Sequence, residues 1–505
     1  MKNFKSIAPI LLFIFLNTGA VSAHAQNFHS ISEWTTCDGK TDDALGVAKA
    51  FAAAANGALT LQIDCPVFMH VGMDITRPIF VDSGTTVNFT GKGLIITDNV
   101  LIPAFVIANS KNITFNDWNV EYSGGLPIDP KVGGYYDNGT WVSTDPDGHA
   151  PPSFAFNDQT LTKYLSTNRG IVFPHGVHSI WHGPTDMSSV FYVIGSSSNI
   201  NINNLNMFAA STSNASYDPK SLNGADKYIP VAFAFEVGYS SNQTAVAISK
   251  EDWPPAPNLS VPSNVQFNGV VFNGYYMGFL GVLQNASFNN ITGLMYADLM
   301  DSNGDNVGGV KKWFAPPHLF YIKYYDVDHP YDPVLSTTNL TITNVNDKGL
   351  RSGTARDNPG EKSSGYANSL KLGCVNCSVT GYVSMRPDGL ADILSCNHMT
   401  LTNVQGTYDS FFLHDLFAGV RFPAKGYYQN LTFNNVSLTD TADNPYSTGT
   451  NPHTLPFGYI HSDNDANITF NNVNVYLKQW SLSHSPQPKF SGTGNSGSVK
   501  INITG

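Results

Sequence analysis

Asn430-Leu-Thr-Phe-Asn-Asn-Val436 is one copy of a phrase that the chain repeats along most of its length. The pattern is an Asn, two residues, an apolar residue, one residue, a small polar residue and a second apolar one. It returns at residues 467–473, 339–345, 285–291 and 264–270, and earlier at 112–118 and, more loosely, 199–205. Residues 376–382 and 398–404 complete the set. Self-similarity of this kind governs the architecture and is weighed before any local feature.

Within each copy apolar and polar residues alternate, which predicts a strand with one buried and one exposed face. The Asn or Gly that follows tolerates a left-handed backbone at low cost and turns the corner. Start-to-start spacings are 21 residues from 264 to 285, 22 from 376 to 398, 32 from 398 to 430, and 37 from 339 to 376 and from 430 to 467. The short spacings suit one coil of a parallel β-helix, and the longer ones suit a coil carrying an insertion. An antiparallel sandwich would show turn signals every 8 to 12 residues without repeating one strand phrase. The sequence therefore predicts an all-β, right-handed parallel β-helix whose copies stack about 4.8 Å apart, so that equivalent positions form columns.

The chain has 505 residues, of which 13% are charged. Repeats over most of that length predict one elongated domain, 26–505, with an N-terminal cap at about 30–70. Residues 1–25 read as a signal peptide of bacterial pattern. Lys2 and Lys5 precede the apolar run 10–16, and Ala23-His24-Ala25 is a cleavage signal. A secreted or periplasmic location follows, and no later apolar run reaches the ~20 residues of a membrane span. Five cysteines suit an oxidising compartment. Cys37 and Cys65 bracket the cap and are placed to close a loop. Cys374 and Cys396 are one coil apart, with Cys377 nearby; the C-x-x-C reads as core or disulfide chemistry, since zinc would need a second ligand pair.

A net charge of −11 excludes nucleic acid as the expected partner. Sequons such as those at Asn88, Asn339 and Asn430 reflect composition, many of them lying inside the repeated phrase. Cys37-Asp-Gly-Lys-Thr-Asp-Asp43 precedes a strongly helix-forming run, 44–55, which Asp42 or Asp43 can cap. With this cap and the repeats, the chain resembles the pectate-lyase-like superfamily of right-handed β-helix proteins. There a similar stretch and a short helix plug the open end of the coil. The resemblance implies the fold and leaves the activity among lyases, hydrolases, epimerases, tailspike depolymerases and non-catalytic adhesins.

Three long insertions are expected, at 119–198, 206–263 and 292–338, rich in aromatic residues that suit sugar stacking or packing onto the solenoid. Trp313 is the candidate sugar-binding ring among them. Asp301-Ser-Asn-Gly-Asp305 has the alternating oxygen ligands of a calcium loop but lacks its later Glu, so a solvated turn is the expectation and no metal or other cofactor is assigned.

Chemistry concentrates between 362 and 425, where basic residues gather in an otherwise acidic chain. Arg386, Asp388, Asp392, Tyr408 and His414 are the candidate catalytic residues, with Lys371, Asp409 and Arg421 as candidate substrate-binding groups. A 22-residue coil would stack Arg386 on Tyr408 and Asp392 on His414, although one inserted residue would exchange inside for outside. Two mechanisms suit these groups. In a lyase acting on an anionic polysaccharide, Arg386 or Lys371 would neutralise the sugar carboxylate while Tyr408 or His414 moved the proton. In a glycoside hydrolase, two of Asp388, Asp392 and Asp409 would serve as acid and base. The N-T-D, D-D, G-H-G and R-I-K arrangement of polygalacturonases is not found. A secreted polysaccharide lyase is the leading expectation, a hydrolase the second, and a non-catalytic glycan-binding protein or adhesin the third.

Overall fold

The structure is a computed structural model. It describes residues 27–504 except 71–77, 98–102, 123–133, 138–139, 144–157, 172–188, 210–232, 239–259, 276, 296–317, 323–336, 351–367, 387–388, 409–416, 422–427, 441–454, 458, 462–466, 479–488 and 492–495. The expected signal segment 1–25, the 301–305 stretch, Trp313, Asp388, Asp409 and His414 lie outside the described residues.

Strands from Phe28–Ser30 to Ser496–Thr504 join one 24-stranded sheet that winds as a right-handed parallel β-helix. Each coil has three faces. In one coil Phe191–Ile194 makes the first face, and Ser198–Ala209 makes the second and third. Its neighbour repeats this with Phe233–Val237 and Ser263–Asn273, so that Phe191 lies beside Phe235 and Ile202 beside Phe267.

The repeated phrase carries two left-handed residues. Its sixth residue turns the corner from second to third face, as at Asn204 (φ 53°), Asn344 (φ 54°) and Asn435 (φ 52°). Its first residue does the same on entry to the second face, as at Asn199 (φ 56°), Asn339 (φ 54°) and even His398 (φ 56°). Asn suits both because its short amide bonds locally. Those amides also bond from coil to coil: Asn199 donates to Asn112 at 3.1 Å, Asn467 to Asn430 at 3.2 Å and Asn472 to Asn435 at 2.8 Å.

Between the corners lies an extended segment whose apolar residues point inward. Ile113 and Phe115 are buried while Thr114 and Asn116 are partly exposed. On the second face the outward residues form two unbroken columns. In the first, Thr86, Thr114, Asn201, Gln266, Ser287, Thr341, Ser378, Thr400, Thr432 and Thr469 succeed one another. In the second, two residues further along each strand, every member from Asn88 to Asn471 is Asn or Thr.

Inside, the first face contributes a stack of rings. Phe105, Phe191, Phe235, Phe279 and Phe320 lie 4.8 to 5.4 Å apart, centroid to centroid, and the column continues as Leu370, Ala391 and Val420. Each ring meets its like one strand spacing away, which buries large apolar area with little strain.

The long intervals are not wholly insertions. Each expected loop contains a first-face strand: Phe191–Ile194 within 119–198, Phe233–Val237 within 206–263 and Phe320–Ile322 within 292–338. These strands are short and apolar with no Asn corner of their own, so alternation could not reveal them. The first interval also holds helix α2, Asp158–Arg169, which lies on the outside of the first face. Tyr164 stacks on Phe80 at 5.2 Å, and the Arg169 guanidinium lies 4.4 Å from the same ring while pairing with Asp82.

Helix α1, Ala44–Ala54, caps the end of the coil with buried Val47, Ala50, Phe51 and Ala54. Asp42 accepts from the Ala44 and His70 N–H groups, whereas Asp43 turns away from the helix to accept from Thr36. Both aspartates are structural, but only Asp42 bonds a helix N–H, and Asp43 makes no side-chain capping bond. Cys37 and Cys65 form a disulfide that ties the cap to the first coil. Cys374 bonds to Cys377, and Cys396 lies buried beside Cys374, Sγ to Sγ 3.9 Å, in the register expected for adjacent coils.

Candidate functional site

The second register column of the first face changes character along the solenoid. Val106, Tyr192, Glu236, Leu280 and Tyr321 follow one another, and then come Lys371, Asp392 and Arg421. Alternation explains the placement: Phe320, Leu370 and Ala391 point inward, so the next residue of each strand points out.

Lys371 is the centre of this group. Its Nζ is 3.6 Å from Asp392 Oδ2 on one side and 4.6 Å from the centre of the Tyr321 ring on the other. The Lys371 side chain is 17% exposed and that of Asp392 only 2%, so the ammonium is the solvent-facing member of the pair. A cation between a carboxylate and an aromatic face is held from both sides, with reduced freedom to swing. Tyr321 packs in turn against the buried His318, ring centres 5.1 Å apart, and His318 Nδ1 donates to the Asn368 carbonyl at 2.7 Å. Arg421 stands next to Asp392 in the register.

The register corrects the expected stacking. Asp392 lies opposite Lys371 and Arg421, not His414, because this coil takes 29 residues from 392 to 421 and the one before takes 21 from 371 to 392. The pairing also slips between Leu372 and Cys374, after which the coil spacing is 22. Coil length varies with position, so one repeat length could not be carried across the whole segment.

Arg386 is the larger correction. It is fully buried, and its Nε donates to Asp347 Oδ2 at 2.7 Å, with both side chains inaccessible to solvent. It does not face a substrate. Asp347 occupies an inward column beside Gly293 and Ser384 that is otherwise built from residues such as Phe272 and Leu438. Its carboxylate also accepts from the Ser369 hydroxyl and, at 2.9 Å, from the Gly349 N–H. Ser369 Oγ lies 2.6 Å from the Tyr382 hydroxyl, whose ionisation is pushed far up by burial and by the nearby Asp347 charge. The result is a polar knot inside the solenoid. Tyr408 ends its strand beside Asp440, one step from Thr407, whose hydroxyl donates to the Arg386 carbonyl at 2.9 Å.

Of the expected site residues the structure therefore brings together Lys371 and Asp392, sets Arg421 beside them in register, and removes Arg386 to the interior. Tyr321 and His318 fall within the aromatic-rich interval 292–338, where composition alone marks no role for them. Asp347 was missed altogether, although the alternation Val345-Asn-Asp347 marks it as inward-facing. Among the described residues no group of three or more His, Cys, Asp or Glu is placed to hold a metal, and no helix is long and apolar enough to cross a membrane.

No family model matches the chain, and no curated protein matches it either. Solved structures do resemble it. A surface adhesin of Streptococcus pneumoniae aligns over 94% of this chain and 89% of its own, at 11% identity and a TM-score of 0.37. A family 28 exopolygalacturonase of Yersinia enterocolitica aligns over 95% and 78%, at 11% identity and a TM-score of 0.33. The A-module of a mannuronan C-5 epimerase of Azotobacter vinelandii aligns over 93% and 99%, at 9% identity and a TM-score of 0.35. The adhesin, the exopolygalacturonase and the epimerase module thus align to about the same extent.

Proposed function

We propose that the protein is exported and acts on an acidic polysaccharide at the outer surface of its first face, by elimination at a uronic acid unit. The observation that carries this reading is Lys371, a cation held outward between Asp392 and the Tyr321 ring. In elimination the proton beside the sugar carboxylate is removed, and negative charge builds on that carboxylate. A fixed ammonium stabilises the developing charge without having to reorganise. Arg421 follows Asp392 in the register. In this reading the Tyr321 phenol, one coil below, would carry the proton from the sugar to the leaving oxygen. Hydrolysis would need a second carboxylate across the bond from Asp392. Asp388 and Asp409, the sequence candidates for that role, lie outside the described residues.

The test is to incubate the secreted protein with a panel of acidic and neutral polysaccharides. Ultraviolet absorbance from unsaturated ends, abolished in Tyr321→Phe and reduced about 10²–10³-fold in Lys371→Ala, supports the reading. New reducing ends without that absorbance would replace elimination by hydrolysis. Silence across the panel, with retained binding, would make the protein a glycan-binding one.

A further inference from the structure

The repeated phrase does more than build the fold. Its inward residues fill the core and its two left-handed residues turn the corners, but nothing in the winding dictates the residues between them that face out. On the second face these are nevertheless Thr, Ser, Asn or Gln at every coil from Thr86 to Thr469, and Asn or Thr at every coil from Asn88 to Asn471. Strand propensity alone does not produce this. The third face has the same geometry, and its outward column includes Val271 and Val383 among polar residues.

The two columns form a lattice. Neighbours repeat about every 4.8 Å along the solenoid and about every 6.6 Å across it, since the columns are two residues apart on each strand. The side chains are preset as well as regular. Asn116 donates to Asn88 at 2.8 Å, Asn203 to Asn116 at 3.0 Å, Asn268 to Asn203 at 3.1 Å and Thr343 to Asn289 at 2.8 Å. β-branched Thr is stiff in its own right. Groups already held in place lose little entropy on binding. In the coil of Thr86 the passage from second to third face is the turn Thr90–Gly93, and from Asp117 onward each described passage is a single left-handed residue, such as Asn204 or Asn435, so no loop rises along that edge over those coils.

What fits such a surface is limited by what it lacks. It has no aromatic ring to stack on a sugar and, in these two columns, no charge to attract an ion, although the chain as a whole carries −11. It offers only hydroxyls, amides and Thr methyl groups, repeated in two directions on a flat ground. Each of those polar groups can stand in for one water molecule in a hydrogen-bonded network. We propose that the second face binds ice, holding an ordered layer of water whose repeat follows the Thr and Asn columns. This is a second activity, on a different face from Lys371, and it does not depend on the polysaccharide reading.

The experiment grows an ice hemisphere slowly from a dilute solution of the full secreted protein and measures how much protein enters the ice, with inhibition of recrystallisation as a second readout. Wild type is expected to enter the ice and to arrest grain growth. Thr341→Lys and Thr400→Lys, together on the second face, are expected to reduce incorporation to that of an inert protein while circular dichroism and thermal unfolding stay unchanged. Asn346→Lys on the third face and Lys371→Ala on the first are expected to enter ice as wild type does. Exclusion of wild type from ice, or equal incorporation of the Thr341→Lys, Thr400→Lys variant, would overturn the proposal. Retention of wild type on crystalline cellulose or chitin, with no entry into ice, would overturn it in favour of a solid glycan.

Discussion

Asp347 and Arg386 show what a single buried charge demands of its surroundings. The carboxylate stands where its column otherwise carries apolar or small residues, and it is tolerated because Arg386, Ser369 and Gly349 all donate to it. Taking away one partner leaves the other charged in a medium that cannot solvate it. Arg386→Ala or Asp347→Ala should therefore cost about 3–5 kcal/mol, read from denaturant midpoints at constant slope. Replacing both with Asp347→Leu and Arg386→Met should cost less than either single change, because no charge is left unpaired, while the Gly349 N–H that loses its acceptor keeps the pair short of neutral by about 1–3 kcal/mol. If the single changes are harmless, the pair is not shielded as described. Two buried phenols make a second residue-scale prediction. Burial pushes the ionisation of Tyr382 and Tyr275 well up, so the folded state holds the neutral forms. Their contribution is complete below the unfolded value of about 10 and is lost as pH rises beyond it toward the folded values. The Tyr275 hydroxyl has no hydrogen-bond partner among the described residues. Tyr275→Phe should keep stability at pH 7 and weaken its fall above pH 10, followed by thermal unfolding across that range. The Cys396 thiol, pushed up to about 12 by burial, should resist alkylation at pH 8 until the protein unfolds.

At the scale of the element, the corner is the unit that makes a coil. Asn435 is left-handed at φ 52°, accepts from Asn472 at 2.8 Å and donates to Asn403 at 3.0 Å. Asn435→Ala should lose both bonds and place a Cβ in an unfavourable conformation, at about 1–2 kcal/mol for the backbone alone. Asn435→Gly keeps the conformation, loses the bonds and should fall between Ala and wild type in thermal unfolding. The corners are also why the second and third faces could be read from the sequence. Asn recurs at fixed offsets around alternating apolar residues, and the two periods reinforce each other. First-face strands such as Phe191–Ile194 are buried on both sides, so alternation leaves no mark on them and in sequence they read as parts of loops. The candidate site inherits that gap. Lys371 and Asp392 were legible as neighbours in composition, but Tyr321, one coil away on a strand of three residues, carried no signal of its place. Arg386 was misjudged because a cation beside a turn ordinarily faces solvent, and its acid partner lay 39 residues back.

For the whole molecule, the ends matter more than the middle. A coil in the interior buries its strands between two neighbours, whereas a terminal coil leaves one row of backbone groups unpaired and ready to join another chain. Helix α1 closes the first end by setting Phe51 against Phe105 and Trp118, ring centres 5.5 and 6.3 Å away, and the Cys37–Cys65 bond fixes the segment in place. The disulfide and the helix should fail differently. Closing a loop over a sequence separation of 28 is worth about 3.6 kcal/mol in the chain-entropy account, so Cys37→Ser with Cys65→Ser should lower the unfolding temperature yet leave the oligomeric state unchanged. Deleting residues 27–58 removes the plug itself, uncovering apolar side chains and open strand edges together. That variant should self-associate at micromolar concentration, seen by light scattering on a sizing column. A truncated chain that stayed monomeric with its strands intact would mean the first coil closes itself, and the cap would then have some purpose other than covering an edge.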